Sequence, residues 1–375
     1  MIFGLQPCTR LSLDPRLVLL RFLIAGLTLI LPAACGTPTP PSSTPNPVPL
    51  AHELILYNWA DYMPQSVLDA FEKEYGTRVI VLTYESQEEA VEKIGNDTIG
   101  YDIAVIEQNH LPQLIQSNLI AEIDYHNVPN FSNISADFRD LSFDPDNQHS
   151  VPYNWGTTGL IVRSDLVKNP VTKWADLWDP RHAGQIAIRG QPIEIISIAL
   201  RSLGYPLNSE DPGQLDAALA HLRELKKSVV FIPADPQSVL DALGSGRITI
   251  VQGWNGDALA AREQYPSIEY VLPEEGTMLW ADTFVISASS QNQYTAEVFL
   301  NFILRPEISA QIVETYYYPS ANEAARMFID PVVSNDPLVY PQPDYLRAND
   351  FYLPLSETGG RLYAQIWASF MEGNP

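Results

Sequence analysis

From residue 51 onward the chain alternates stretches of strand period with stretches of helical period. Glu53–Trp59 is strand-like, with Leu, Ile, Leu and aromatics, and residues 63–75 place Val67, Leu68 and Phe71 on one helical stripe. Residues 78–84 read as a strand, 87–94 as a helix and 101–106 as a short buried strand. This βαβαβ rhythm predicts a mostly parallel sheet covered by helices. A second α/β stretch follows, with strand 186–188, helices 193–203 and 216–226, and strands 229–232 and 248–254 around helix 238–243. Residues 297–304 read as helical up to Arg305-Pro306. Two such units, punctuated by Pro and Gly, predict an α/β fold of two lobes around a cleft.

The N-terminal pattern differs. Arg10, Arg16 and Arg21 precede the apolar run Phe22 to Leu31, which is too short to span a bilayer stably. The run ends at Leu31-Pro32-Ala33-Ala34-Cys35-Gly36, similar to a bacterial lipoprotein cleavage site, which makes residues 1–35 the signal and Cys35 the lipidated residue. Pro32 stands where that pattern usually has Leu, so an ordinary signal cut nearby stays open. Residues 36–50 alternate Pro with small polar residues, an extended tether.

Composition narrows the picture. The only cysteines are Cys8 and Cys35, so nothing after the tether can form a disulfide or a thiolate metal site. About 325 residues remain for folding, enough for one large or two medium domains. Without the first 35 residues, 19 basic residues face 44 acidic ones, a net charge of −25. That balance disfavours nucleic acid and favours attraction of cations.

No Gly-x-Ser-x-Gly elbow, His-Glu-x-x-His motif, phosphate-cradling glycine loop or dinucleotide fingerprint is present. The six histidines lack ligand spacing, and no cofactor or metal is expected. What stands out instead is tryptophan near carboxylate: Trp59-Ala60-Asp61-Tyr62, Trp254-Asn255-Gly256-Asp257 and Trp280-Ala281-Asp282, with Trp155 beside Tyr153. Indole faces attract a cation and carboxylates neutralise one, so this combination suits an organic cation.

Each segment also has a packing explanation. Asp61 can cap the helix beginning near Met63, and Asp257 can cap the helix after Trp254. Glu194 follows Pro192 in the first turn of an apolar helix, where it either favours the helix dipole or reaches into a cleft. Trp174-Ala175-Asp176 continues into Leu177-Trp178, four residues on, and reads as a packing pair. Tyr316-Tyr317-Tyr318 resembles the adjacent tyrosine ligands of some ferric-ion-binding proteins, but no His or carboxylate partner is apparent.

Taken in order, these markers resemble the spermidine/putrescine-binding proteins of bacterial ABC transporters. The resemblance runs from about Leu54 to Tyr340. It rests on Tyr57-Asn58-Trp59, Thr83-Tyr84-Glu85-Ser86, Tyr101-Asp102-Ile103, Val151-Pro152-Tyr153-Asn154-Trp155-Gly156, Trp174-Ala175-Asp176-Leu177-Trp178, Ala199-Leu200-Arg201-Ser202-Leu203-Gly204-Tyr205, Trp254-Asn255-Gly256 and Asn301-Phe302-Ile303-Leu304-Arg305-Pro306. It implies a two-lobe periplasmic-binding-protein fold, each lobe a mixed sheet flanked by helices, with a polyamine held lengthwise between them. Residues 51–157 plus 280–325 would form one lobe, and 158–279 plus 326–375 the other.

Carried over by position, Trp59, Asp61, Tyr62, Trp254, Trp280 and Tyr318 fall on ligand-wall or acidic positions. Glu194 and Asp282 fall on acids that grip ammonium groups, and Asp257 on an acid used by the putrescine-selective branch. Three departures stand out: Glu107 and Asn109 replace a serine and a tyrosine, and Gln191 replaces an aspartate. Tyr352 stands near a position usually held by glutamine. The resemblance further implies an exported monomer, anchored by lipid to the outer face of the cytoplasmic membrane or periplasmic. It would hand its polyamine to a membrane permease. A receptor for another cation (a thiamine-like compound or ferric ion) and a secreted carboxylate-based hydrolase are the other readings.

Overall fold

Strands β1 (Glu53–Trp59), β2 (Arg78–Tyr84) and β3 (Ile103–Glu107) run parallel with β1 in the middle, linked by α1 (Gln65–Tyr75) and α2 (Gln87–Gly95). Side chains alternate across the sheet: Leu54 and Leu56 join Val67, Leu68 and Phe71 of α1, whereas Tyr57 joins Ala90 and Ile94 of α2. Helix α3 (Leu111–Gln116) follows β3. The computed structural model describes residues 48–96, 100–341 and 350–372. The expected signal, Cys35 and residues 36–47 of the tether lie outside them. Among the described residues, no helix is long and apolar enough to cross a membrane.

The long strand β4 (Ser150–Arg163) leads into the second α/β unit. There β5 (Ile186–Arg189), β6 (Val229–Ile232) and β7 (Ile250–Trp254) are parallel, with β5 in the middle. Their connections are α4 (Pro192–Ser202), α5 (Pro212–Leu225) and α6 (Pro236–Gly244), and α7 (Asn255–Gln264) follows β7. Each of α4, α5 and α6 opens on a proline, whose missing N–H costs nothing in a first turn. After β8 (Ile268–Val271), strand β9 (Met278–Ile286) returns to the first unit and pairs antiparallel with β3. Helices α8 (Gln293–Ile303), α9 (Pro306–Tyr316) and α10 (Pro331–Ser334), strand β10 (Asp350–Phe351) and a helix Glu357–Glu372 follow among the described residues.

Strand order is β2-β1-β3-β9-β4-β7-β5-β6, with β8 on β4 and β10 on β9, ten strands among the described residues. Two mixed halves therefore meet where β9 and β4 lie side by side. Their register slips between Pro152 and Trp155, where proline has no N–H to give to the ladder.

The βαβαβ rhythm and the second α/β stretch expected from the sequence are both present. Strand β4 was not expected, because Pro152, Gly156 and Gly159 break its apolar pattern. Helix α9 was also missed: Pro306 ends one helix in the sequence pattern and begins the next in the fold. Trp174 and Trp178 both serve packing, Trp174 wholly buried and Trp178 stacked on His221 at 3.9 Å.

Candidate functional site

The parallel strands of both halves end on one cleft, as open α/β sheets place their ligand sites. Trp59 closes β1 and is followed by Ala60, Asp61 and Tyr62; Tyr84 and Glu85 follow from β2, and Glu107 closes β3. From the other half come Trp254 at the end of β7, Pro233 to Pro236 after β6, and Glu194 in the first turn of α4. Trp280 and Asp282, two apart on β9, face the same space, and Tyr318 reaches it from beyond α9. The cleft encloses about 920 Å³ including its open mouth. Among its described lining residues there is no Lys, Arg or His.

Aromatic rings line it in one continuous run. Centroids lie 4.6 Å apart for Tyr84 and Trp59, 6.0 Å for Trp59 and Trp254, and 6.1 Å for Trp254 and Trp280. The run continues at 5.4 Å from Trp280 to Tyr318 and 5.5 Å from Tyr318 to Tyr62. Tilted and edge-on angles leave ring faces open to a guest, and those faces are where a cation is attracted. Two glycines allow this approach. A Cβ on Gly156 would collide with the Trp280 ring, and one on Gly256 would sit 2.6 Å from the Tyr316 carbonyl oxygen.

Three carboxylates sit deep in this aromatic box. Asp282 is 5% exposed, accepts a 2.8 Å hydrogen bond from the Tyr62 hydroxyl, and is pushed up to about 7 by burial. Glu107 pairs across the ladder with Asp282, and its Oε1 is sealed from solvent without a partner. Burial, then the charges of Asp282, Glu194 and Glu88, holds Glu107 well above the usual carboxylate range. Glu194 accepts from Trp254 Nε1 at 2.8 Å, Thr158 Oγ1 at 2.9 Å and Gln252 Nε2 at 2.6 Å. Burial raises Glu194 too, while those donors and the Arg189 charge draw it back. Asp61 and Glu85 stand at the exposed rim.

Asp257, expected on the wall, lies behind it. Its carboxylate pairs with the wholly buried Arg189 guanidinium and accepts from the Tyr318 hydroxyl at 3.0 Å. Arg189 Cζ lies 4.1 Å from the Trp254 ring centroid, so a resident cation already holds one aromatic face. Asp257 thus lacks the cleft contact that its position suggested, because a cation unforeseen in the sequence neutralises it. Trp155 also leaves the cleft and packs on Phe138 at 5.6 Å. The three tyrosines at 316–318 diverge: Tyr317 takes a left-handed backbone (φ 60°) and donates to Glu263, and of the three only Tyr318 lines the cleft. Thr83, Tyr84, Glu85 and the Pro233–Pro236 loop were not singled out as site residues; they lie at or just after the ends of the parallel strands β2 and β6.

The family model for bacterial extracellular solute-binding proteins matches residues 66–341. The chain is 36% identical over 300 residues to a spermidine/putrescine-binding periplasmic protein of Escherichia coli strain K12, covering 80% of this chain and 86% of that one. A putrescine/agmatine-binding protein of Pseudomonas aeruginosa is 32% identical over 338 residues, covering 85% and 92%. Among solved structures, a spermidine/putrescine ABC transporter substrate-binding protein from Streptococcus pneumoniae has a TM-score of 0.73 at 30% identity, covering 86% of this chain and 99% of that one. With a lobed α/β fold, a cleft at the strand ends and a family match over most of its length, this chain belongs to the bacterial extracellular solute-binding proteins.

Proposed function

We propose that this chain is the receptor of an ABC importer that captures a polyamine, putrescine or spermidine, and delivers it to a membrane permease. One observation carries the reading: buried Glu194 and Asp282 and half-buried Glu107 face a cleft walled by aromatic rings and lacking, among its described lining residues, any cation of its own. Such an arrangement is costly until a positive guest arrives. The names of the relatives point the same way.

Trp59, Tyr62, Trp254, Trp280 and Tyr318 cover the methylenes and attract the ammonium groups. Glu107, Glu194 and Asp282 neutralise them, with Asp61 at the rim, and Asp257 acts from behind by holding Tyr318 and Arg189. Residues 51–157 and 280–325 move as one lobe, residues 158–279 and 326–375 as the other, and ligand bridging both favours the closed form. The protein binds without chemistry. It is exported, anchored by lipid on Cys35 and monomeric.

Calorimetry of the folded portion against putrescine, spermidine, spermine and ferric ion tests this. Stoichiometric binding of a di- or triamine is expected, at about −8 kcal/mol if the affinity is micromolar. No heat with any polyamine, together with binding of another cation, sinks the reading.

A further inference from the structure

Glu107 and Asp282 are direct partners in the antiparallel β3–β9 ladder. Opposed residues of such a pair project to the same side with Cβ atoms about 4.5–5.5 Å apart. Both line the cleft. Asp282 keeps one oxygen on the Tyr62 hydroxyl, while Glu107 Oε1 has no partner and its backbone N–H is held by Gln87 at 3.2 Å. Among the described residues, the titratable neighbours that act on this pair are acids and phenols. Glu88 comes from α2, Glu194 from α4, Tyr62 from the loop after β1, Tyr84 from β2, Tyr153 from β4 and Tyr352 from beyond β10. The nearby guanidinium of Arg189 is committed to Asp257.

We propose that Glu107 and Asp282 together seat one terminal ammonium of the ligand and give up a shared proton to solvent as it arrives. This rests on the polyamine reading. Two opposed carboxylates shielded from water cannot both remain charged without a counter-ion, so the empty pair retains a proton between them. Burial pushes both groups up, Asp282 to about 7, which places the exchange near neutral pH. A primary ammonium has three N–H donors and serves two carboxylates at once. A secondary amine has two and leaves the pair less well satisfied. The proton leaves as a hydrated ion, the ammonium enters with its charge intact, and no covalent bond changes. Glu107 thereby becomes a specificity-determining residue that selects an amine terminus.

The test is putrescine calorimetry in phosphate and in HEPES at pH 7, with affinities from pH 6 to 8.5, on the wild type and Glu107→Gln. The wild type should show heats that differ between buffers by the release of roughly half to one proton. Its affinity should rise by up to about tenfold per pH unit over the titrating range. Glu107→Gln leaves Asp282 alone to titrate, so it should release clearly fewer protons than the wild type at pH 7, match it at pH 6 and bind about tenfold more weakly at pH 8.5. Glu107→Ser, shorter and also unable to titrate, provides a second variant with the same expectation. Identical wild-type heats in both buffers, or undiminished release in both variants, would overturn the seat while leaving polyamine capture intact. Absence of any polyamine binding would remove both.

Discussion

Arg189→Met strands a carboxylate inside the protein. The guanidinium is wholly buried, and Asp257, its partner, is 3% exposed. With arginine gone, the Tyr318 hydroxyl at 3.0 Å remains on Asp257, but no counter-charge does. Removing one member of a buried pair typically costs about 3–5 kcal/mol, and about 1–2 kcal/mol of that can come from the lost stacking on Trp254. Folded domains hold about 5–15 kcal/mol in reserve, so the variant should remain folded but be clearly weakened. Adding Asp257→Asn removes the stranded charge while keeping a group that the Tyr318 hydroxyl can reach, and about 2–3 kcal/mol should return. Urea unfolding of the ligand-free proteins at pH 7.4 measures both values.

A cost below about 1 kcal/mol, or a loss that Asp257→Asn leaves unrepaired, would refute the view of Arg189 as the resident counter-ion.

Two further outcomes are expected. Asp282 is raised from 3.8 to about 7 in the empty protein, so it favours the folded state below pH 4 and progressively opposes it up to about pH 7. Asp282→Asn should therefore stabilise the ligand-free protein at pH 8 by on the order of 2 kcal/mol while weakening putrescine at least about tenfold; lower stability in the same unfolding assay would contradict this. Gly156→Ala drives a methyl into the Trp280 ring and should cost about 1–3 kcal/mol along with ligand affinity. Unchanged thermal midpoint and affinity would show that the ring shifts freely.

Legibility in the sequence followed the range of the forces involved. Strands β1 and β2 carry their own period, so Glu53–Trp59 and Arg78–Tyr84 could be read within a residue or two. The wall residues Trp59, Trp254, Trp280 and Asp282 were readable because each sits at a strand end or on a strand face, where chemistry and periodicity point to one place. Asp257 was misread because its partner, Arg189, lies 68 positions away and only the β5–β7 pairing brings them together. Strand β4 was lost because its burial comes from neighbours on both sides, which frees it from any alternation of its own. The Pro233–Pro236 loop has ordinary turn composition, and its role follows from where β6 ends.

The unbroken path of rings from Tyr84 to Tyr62 has an optical consequence. Three of the seven tryptophans in the chain are clustered there, each indole about 6 Å from the next. A guest lodged among them changes both their separation and the polarity that each one senses. The molecule thus carries its own fluorophores at the place of capture, and occupancy can be followed by ultraviolet emission without attaching a dye.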